Sequence, residues 1–583
     1  MLLSMLEAQR LWRVRPVPDD LVAELEHDLG LSALTARLLA GRGIDSASTA
    51  EHFLRKRLQD LLPPDSMRDM PVAAKRFAQA IEQRERILIH GDYDVDGSTA
   101  TVLLKQFCRC LSHDAVGWIP DRRIDGYGLS EASLEAVRQE QAQLMVTVDC
   151  GIADQGWAAR IEETGCQVII TDHHLPQDQL PRCTAVCNPN QPDCRYPDKG
   201  LAGVGVAWKL CWATAKVLCG SDRVTDRLRE FLLDSLALVA IGTVADCAPL
   251  AGENRILVHH GLQALAASRN PGLRAILAQT RLEEGPITAN DVGWKIGPLL
   301  NASGRLGSAL RNVSLLCAEN IDEATHLLRE IVRENEERRR LTMLLADEIA
   351  EEIERNHDYE QRLSLVFSGD GWHQGVVGIV ASRLSERYQK PTAVIGIVDG
   401  IAKGSLRTVP GVHLGQAIEA CRDHLLAGGG HAMAAGICLE PERVPDFIQA
   451  FEDHFQQHFP AGLPAAGTDY DADTGILSLQ NGFMKELQSL EPFGTGNPAP
   501  VIRVRGCRFA GRPDLFGRDG KHLRGAITDA EGGMQQMIAW SAGSRLSDFC
   551  RVGAQFDLLL KPEINHWRGR SQLQLLFVDG CGL

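Results

Sequence analysis

Short apolar runs that end in an acid recur along the first half of the chain. Arg86-Ile-Leu-Ile-His90, Leu144-Met-Val-Thr-Val148 and Gln167-Val-Ile-Ile-Thr171 have strand length and are rich in β-branched residues. Helical patterns follow them, as from Thr99 to Leu111 and from Gln155 to Thr164. This alternation predicts an α/β fold over residues 71–312, a mostly parallel sheet with helices on both faces. The apolar Leu236–Ala245 reads as a further strand of that sheet. Residues 1–70 read as short helices that end in the turn-rich Leu62-Pro-Pro-Asp-Ser-Met67. After the sheet, the charge-laced Ile321–Asn356 predicts one long helix, a connector spanning about 313–357. A second α/β block is expected over 358–456. From 460 to 583 short strands and glycine turns such as Phe516-Gly-Arg-Asp-Gly520 predict a small β domain.

Composition narrows this only a little. The 583 residues are 44% apolar and 23% charged, ordinary values that exclude wholesale disorder and call for several domains. No stretch has the apolar length of a membrane span, and the first residues lack a signal-peptide pattern. Sixteen cysteines are scattered without the spacing of a disulfide scaffold, so reduced thiols and a cytoplasmic location are expected. Cys183, Cys187 and Cys194 lack the close pairing and fourth ligand of a zinc site. The net charge of −15 argues against nucleic acid at first sight. From Val501 onward, however, 12 Lys or Arg stand against 8 Asp or Glu, and polyanion binding needs a basic surface, not a basic protein.

The chemistry starts at His90-Gly-Asp-Tyr-Asp-Val-Asp-Gly97. Asp92, Asp94, Asp96 and Gly97 imitate the first half of an EF-hand loop, but the twelfth position is Leu103 where a bidentate acid is required. What remains is an acidic loop at the carboxyl end of a strand. Asp149, Asp172-His173-His174 and Asp246 close the other apolar runs in the same way. Ligands of a parallel sheet bind outside the carboxyl ends of its strands, so these acids are expected to converge. A donor set of Asp and His suits two divalent cations, Mn2+ or Mg2+, and a two-ion site suits phosphoryl hydrolysis.

These motifs together resemble the DHH phosphoesterase superfamily and, within it, the RecJ family of single-strand-specific 5′→3′ exonucleases. The resemblance extends through Ile119-Pro-Asp-Arg-Arg-Ile-Asp-Gly-Tyr-Gly-Leu129, Leu201-Ala-Gly-Val-Gly-Val206, Leu300-Asn-Ala-Ser-Gly-Arg-Leu306 and Gly371-Trp-His-Gln-Gly-Val-Val-Gly378. Gly404-Ser-Leu-Arg407, Gly428-Gly-Gly-His-Ala-Met-Ala-Ala-Gly436 and Glu491-Pro-Phe-Gly-Thr-Gly-Asn-Pro498 continue it. Two departures are Val95, where many relatives have Ala, and His90, where relatives often have an apolar residue and other superfamily members a ligand histidine.

The resemblance implies a DHH parallel-sheet lobe and a DHHA1 α/β lobe joined by a long helix, plus a C-terminal OB-like β domain. It implies metal ligands at Asp94, Asp96, Asp149, His173 and Asp246, with His90 as a further candidate and Asp92 and Asp172 supporting them. Arg122, Arg305, Ser405, Arg407, Gly429 and Gly430 match positions that bind a terminal 5′-phosphate and nearby backbone. His373 and His431 are candidates for offsetting charge on the phosphate, and His174 for positioning it or acting as an acid. The implied partners are single-stranded DNA, single-strand-binding protein and a recombination helicase. Arg518, Lys521, His522, Arg524, Trp540, Trp567, Arg568 and Arg570 are available to the β domain for gripping a strand. Removing that domain is expected to weaken capture of long strands while sparing cleavage of short ones.

Two alternatives stand beside this reading. A small-molecule or short-oligonucleotide phosphodiesterase of the superfamily would use the same metal set, generally without the extra β domain. A non-catalytic DNA-binding scaffold would have lost acidic positions that are all filled here.

Overall fold

The computed structural model describes residues 11–122, 124–464, 467–480, 482–517, 520–542, 554–567 and 570–582. Its contacts divide into two compact units. One comprises Arg13–Gly304, Ser308–Ile331 and Asp469–Leu583, and the other includes Arg305–Gly307 and Val332–Thr468.

The first unit is built on five parallel strands. In chain order they are Ile87–Gly91, Val116–Trp118, Leu144–Val148, Gln167–Thr171 and Ala185–Cys187, and in space they run second, first, third, fourth, fifth. This doubly wound order reverses between the first and third strands, where a ligand crevice opens at the carboxyl ends. All five residues of Ile87–Gly91 and of Leu144–Val148 are buried, which is why these runs show no alternation. One expectation fails. Leu236–Ala245 is a helix, packed among the helices Val95–Cys110, Gly203–Cys219 and Gly252–Ala266. A helix surrounded on every side has no polar face, so its apolar run carries no 3.6-residue period to distinguish it from a strand.

The same unit holds a seven-stranded sheet of residues Ala472–Gly582, and a pairing of Arg508 with Thr528 and Phe509 with Ile527 closes it. Closure leaves only the short strands Ala472–Asp473 and Asp514–Phe516 at the ends of the sheet, and short edges resist pairing with other chains. Leu25, Ala36, Leu38 and Leu39 of the N-terminal helices lie in one core with Ile476, Phe483, Ile502, Leu558 and Leu560 of the closed sheet. The N-terminal helices and the closed sheet therefore fold as one body. Arg518 and Arg568 lie outside the described residues.

The second unit has a mixed five-stranded sheet, Ala427–Gly430, Ala434–Leu439, Ile401–Arg407, Thr392–Val398 and Leu365–Asp370 in spatial order. The helix Gln374–Tyr388 packs on one side over Leu345, Ile349 and Ile353 of the long helix Ile321–Arg355. Phe447, Phe451 and Phe455 of Val444–His458 fill the other side. No helix among the described residues is long and apolar enough to cross a membrane, and the described cysteines are all free thiols.

Candidate metal centre

The first strand delivers Asp92 and then Asp94, whose carboxylate caps the helix Val95–Cys110 by accepting the Gly97 N–H at 3.0 Å. Only glycine fits at position 97, because a Cβ there would stand 2.5–2.7 Å from the Asp92 backbone. Asp96, in the first turn of that helix, is fully buried. Its two oxygens accept N–H groups from Gly203 at 2.8 Å and Val204 at 2.9 Å, the first turn of Gly203–Cys219. Asp149 follows the third strand with φ 63°, a left-handed conformation that few non-glycine residues adopt and that concentrates at functional sites. Its N–H still donates to the Thr171 carbonyl at 3.0 Å, so the strain aims the side chain without breaking the ladder. The fourth strand delivers Asp172, His173 and His174. Asp246 caps the carboxyl end of the helix Leu236–Ala245.

These side chains meet in three overlapping groups: Asp149 with His173 and His174, Asp96 with His173 and Asp246, and Asp92 with Asp94 and Asp149. Within each group one donor atom per residue lies within 4.8 Å of the others. His173 Nε2 is 3.1 Å from Asp149 Oδ1 and 3.8 Å from Asp246 Oδ2. Asp92 Oδ1, Asp149 Oδ1 and His173 Nε2 are buried without a hydrogen-bond partner. Orphaned buried oxygens among like charges are costly, and a cation between them satisfies both needs. The donor set therefore fits Mn2+ or Mg2+.

The electrostatics agree. Burial, then the neighbouring carboxylates, push Asp92, Asp96 and Asp149 well above the usual carboxylate range. Burial and Asp94 raise Asp246 to about 7. Burial and the neighbouring His174 lower His173 to about 4, which leaves a neutral imidazole of the kind a metal takes. For His174 burial opposes the charge, but the Asp172 carboxylate outweighs it and raises the ring to about 9. Asp172 Oδ1 lies 2.8 Å from His174 Nδ1 and also accepts the His173 and His174 N–H groups.

Two residues sit differently from the sequence-based expectation. His90 joins none of the three groups: it is buried against Ser133 Oγ at 2.9 Å and Cys150 Sγ at 3.6 Å, and burial lowers it to about 4. Asp92, expected only to support the ligands, presents a donor atom itself. Tyr127 was missed. Its hydroxyl lies 3.2 Å from the Asp149 carbonyl and 3.1 Å from His174 Nδ1, and Gly126 and Gly128 flank it at positive φ. That Gly-Tyr-Gly pattern was the available signal. Arg122 lies 4.9 Å above the Tyr93 ring, and Tyr93 packs edge-on against Tyr127 at 6.4 Å.

The remaining candidates lie in the second unit. Ser405 pairs in register with Gly436, and Gly436 with Gly429, while Arg407 pairs with Ala434. A Cβ at Gly378 would stand 3.3 Å from Ser405 Oγ and 3.5 Å from Arg407 Nη2, so glycine there leaves room for both side chains. Arg305 donates to the Gly375 carbonyl at 3.2 Å. His373 caps the helix Gln374–Tyr388, its Nδ1 accepting the Gly375 N–H at 3.0 Å. His431 is exposed just after the glycine strand, and a Cβ at Gly430 would stand 2.5 Å from the Ala434 carbonyl oxygen. On the closed sheet, Phe516, His522 and Trp540 pack ring on ring at 5.0–5.6 Å, and Arg524 lies 5.7 Å above Phe516.

Family models described as DHH family N-terminal domain, DHHA1 domain and RecJ OB domain match residues 86–243, 361–457 and 470–579. The chain is 35% identical over 579 residues to the single-stranded-DNA-specific exonuclease RecJ of Bacillus subtilis (strain 168), covering 99% of this chain and 71% of that protein. It is 34% identical over 564 residues to the Escherichia coli (strain K12) protein of the same name, covering 94% and 95%. The crystal structure of RecJ in complex with Mn2+ from Thermus thermophilus superimposes with a TM-score of 0.80 at 29% identity, over 98% of this chain and 80% of that one. A structure of exonuclease RecJ bound to manganese gives 0.58 at 31% identity, over 70% and 98%. With its three domain models, its near full-length relatives and an acidic crevice at the reversal of strand order, the chain belongs to the RecJ family of single-stranded-DNA-specific exonucleases.

Proposed function

We propose that this chain hydrolyses single-stranded DNA from its 5′ end, one phosphodiester at a time. The observation that carries the reading is the convergence of Asp92, Asp94, Asp96, Asp149, His173 and Asp246, with orphaned buried donors, where the strand order reverses. When bound there, two Mn2+ or Mg2+ ions supply Lewis-acid charge and a water of lowered pKa. Asp94, Asp96, Asp149, His173 and Asp246 hold the ions, and Asp92 adds a further oxygen. Asp172 fixes the ring of His174, which then presents a donor to a phosphate oxygen or to the departing 3′-oxygen. In the second unit Arg305, Ser405 and Arg407 suit a terminal phosphate, and in the first unit Arg122 suits strand backbone, the guanidinium fork being fitted to both. Gly429 and Gly430 let the backbone approach the strand, and His373 and His431 offset charge on its phosphates. The closed sheet, with its Phe516-His522-Trp540 cluster, offers stacking and charge to the incoming strand. The work is placed in the cytoplasm, in recombination and repair, alongside single-strand-binding protein and a recombination helicase.

The test is digestion of strands labelled at either end, single or duplex, in Mn2+. Single strands should lose mononucleotides from the 5′ end, and a blunt duplex should resist. Release from the 3′ end first, or equal attack on duplex, would overturn the assignment.

A further inference from the structure

A tryptophan that the reaction has not used stands on an unusual turn beside the metal centre. Val292–Ile296 forms a π-helical turn, closed by the Gly297 N–H donating to the Val292 carbonyl five residues back. Such turns are rare and are found frequently at functional sites. This one wraps the end of the helix that carries Asp246. A Cβ at Gly293 would lie 3.8 Å from Val244 Cγ1, and one at Gly297 3.4 Å from Ala245 Cβ. Downstream the chain passes Gly304, where any Cβ would run into the Tyr93 carbonyl between Asp92 and Asp94. The turn is thus held against the Asp246 arm of the site, and the segment that follows it reaches the arm of Asp92 and Asp94. Trp294, at its middle, is 75% exposed. It makes no hydrogen bond, ring contact or cation contact among the described residues, whereas its neighbour Lys295 is tied to Asp291 at 2.7 Å.

Singly exposed apolar residues are common and need no explanation. A solvent-facing indole on a π-helical turn, anchored within two residues of a metal ligand, is a different case. We propose that Trp294 is a stacking platform for a nucleobase of the strand being degraded. An indole presents a flat π face, every base has one, and stacking of this kind holds a strand without reading its sequence. The platform would keep the strand in register over the carboxylates while successive nucleotides are removed. This inference rests on the single-strand exonuclease reading.

The experiment compares wild type with Trp294→Ala, Trp294→Leu and Trp294→Phe on a labelled single strand in Mn2+. Stacking retained from bound strand to transition state is uniform binding, so its loss appears in KM with kcat little changed. Alanine and leucine should raise KM about 10-fold, within the roughly 5- to 150-fold range of a lost base stack, and phenylalanine should stay within about threefold. Leucine keeps bulk without a π face and so separates stacking from packing. On a strand with abasic sugars at its 5′ end the variants and wild type should converge. A KM within twofold of wild type for alanine and leucine, or an equal increase that persists on the abasic strand, would overturn the proposal. If wild type itself released nothing from single strands in Mn2+, the exonuclease reading would have failed instead.

Discussion

Gly203→Ala adds one methyl group at the metal centre and removes no charge, which makes it an exacting test of the geometry. The new Cβ would stand 2.7 Å from Asp149 Oδ1, 2.8 Å from its Cβ and 2.9 Å from its Cγ. Carbon atoms pack at about 3.5–4.0 Å, so Asp149 or the start of the helix Gly203–Cys219 must give way by roughly 0.6 Å or more. Neither has room. Asp149 is 1% exposed with φ 63°, and the Gly203 N–H is held by Asp96 Oδ2 at 2.8 Å. Overpacking of this kind costs about 1–3 kcal/mol, and misplacing a reacting group by about 1 Å costs on the order of 100-fold in rate. We expect kcat/KM to fall roughly 10- to 100-fold and the Mn2+ concentration for half-maximal rate to rise. Gly205→Ala is the matched control, since the three atoms nearest its Cβ all belong to the Leu201 side chain, the first at 2.8 Å. It should lose some thermal stability and keep the wild-type Mn2+ dependence. If Gly203→Ala, folded and pure, showed wild-type turnover and Mn2+ dependence, Asp149 and Asp96 would not be holding the ions.

Arg407→Ala should reduce the preference for a 5′-phosphorylated over a 5′-hydroxyl strand, measured as a ratio of kcat/KM; an unchanged ratio would remove Arg407 from the phosphate site. The metal-free protein should lose stability as pH rises from about 6.5 to 9. Over that window His174, raised to about 9 from 6.5, gives up a proton that favours the fold, and Asp246, raised to about 7, gives up one that the unfolded chain has already lost. Thermal unfolding with and without Mn2+ should therefore show a gap that widens with pH, and a constant gap would contradict it. Contrary to the expectation from the sequence that short strands would be spared, truncation near Pro460 should lower the melting temperature and cut activity on short and long strands alike, because the closed sheet shares its core with the N-terminal helices. The truncation strips Leu25, Leu38 and Leu39 of their partners and removes the Thr495 carbonyl that accepts the Leu250 N–H, four residues beyond Asp246. A truncated protein with full activity on short strands would refute that coupling.

The parallel sheet was legible because strand-length apolar runs each ended in acid, and three of the four runs are strands. The fourth, Leu236–Ala245, was not, since complete burial of a helix erases its period; Asp246 nonetheless reaches the site from the helix end. The shared core of Leu25, Leu38 and Leu39 with Ile502 and Leu558 was invisible as well. Apolar positions announce that they are buried, not which distant segment buries them. Asp92 and Tyr127 lay within motifs already singled out, but the direction of an individual side chain depends on backbone such as the left-handed turn at Asp149. Trp294 carries no local signal at all, because a π-turn leaves no pattern in sequence.

Whether the converging carboxylates carry the hydrolysis is decided by release of a 5′ label from single-stranded DNA by wild type and Asp149→Ala at saturating Mn2+, with strand binding measured in parallel. Asp149 belongs to two of the three donor groups, so its loss should disorganise the whole centre. Hydrolysis should fall by at least about 1,000-fold, roughly 4 kcal/mol of transition-state stabilisation, while affinity for the strand stays within a few-fold of wild type. Near-normal turnover by the folded variant would show that the hydrolytic centre lies elsewhere.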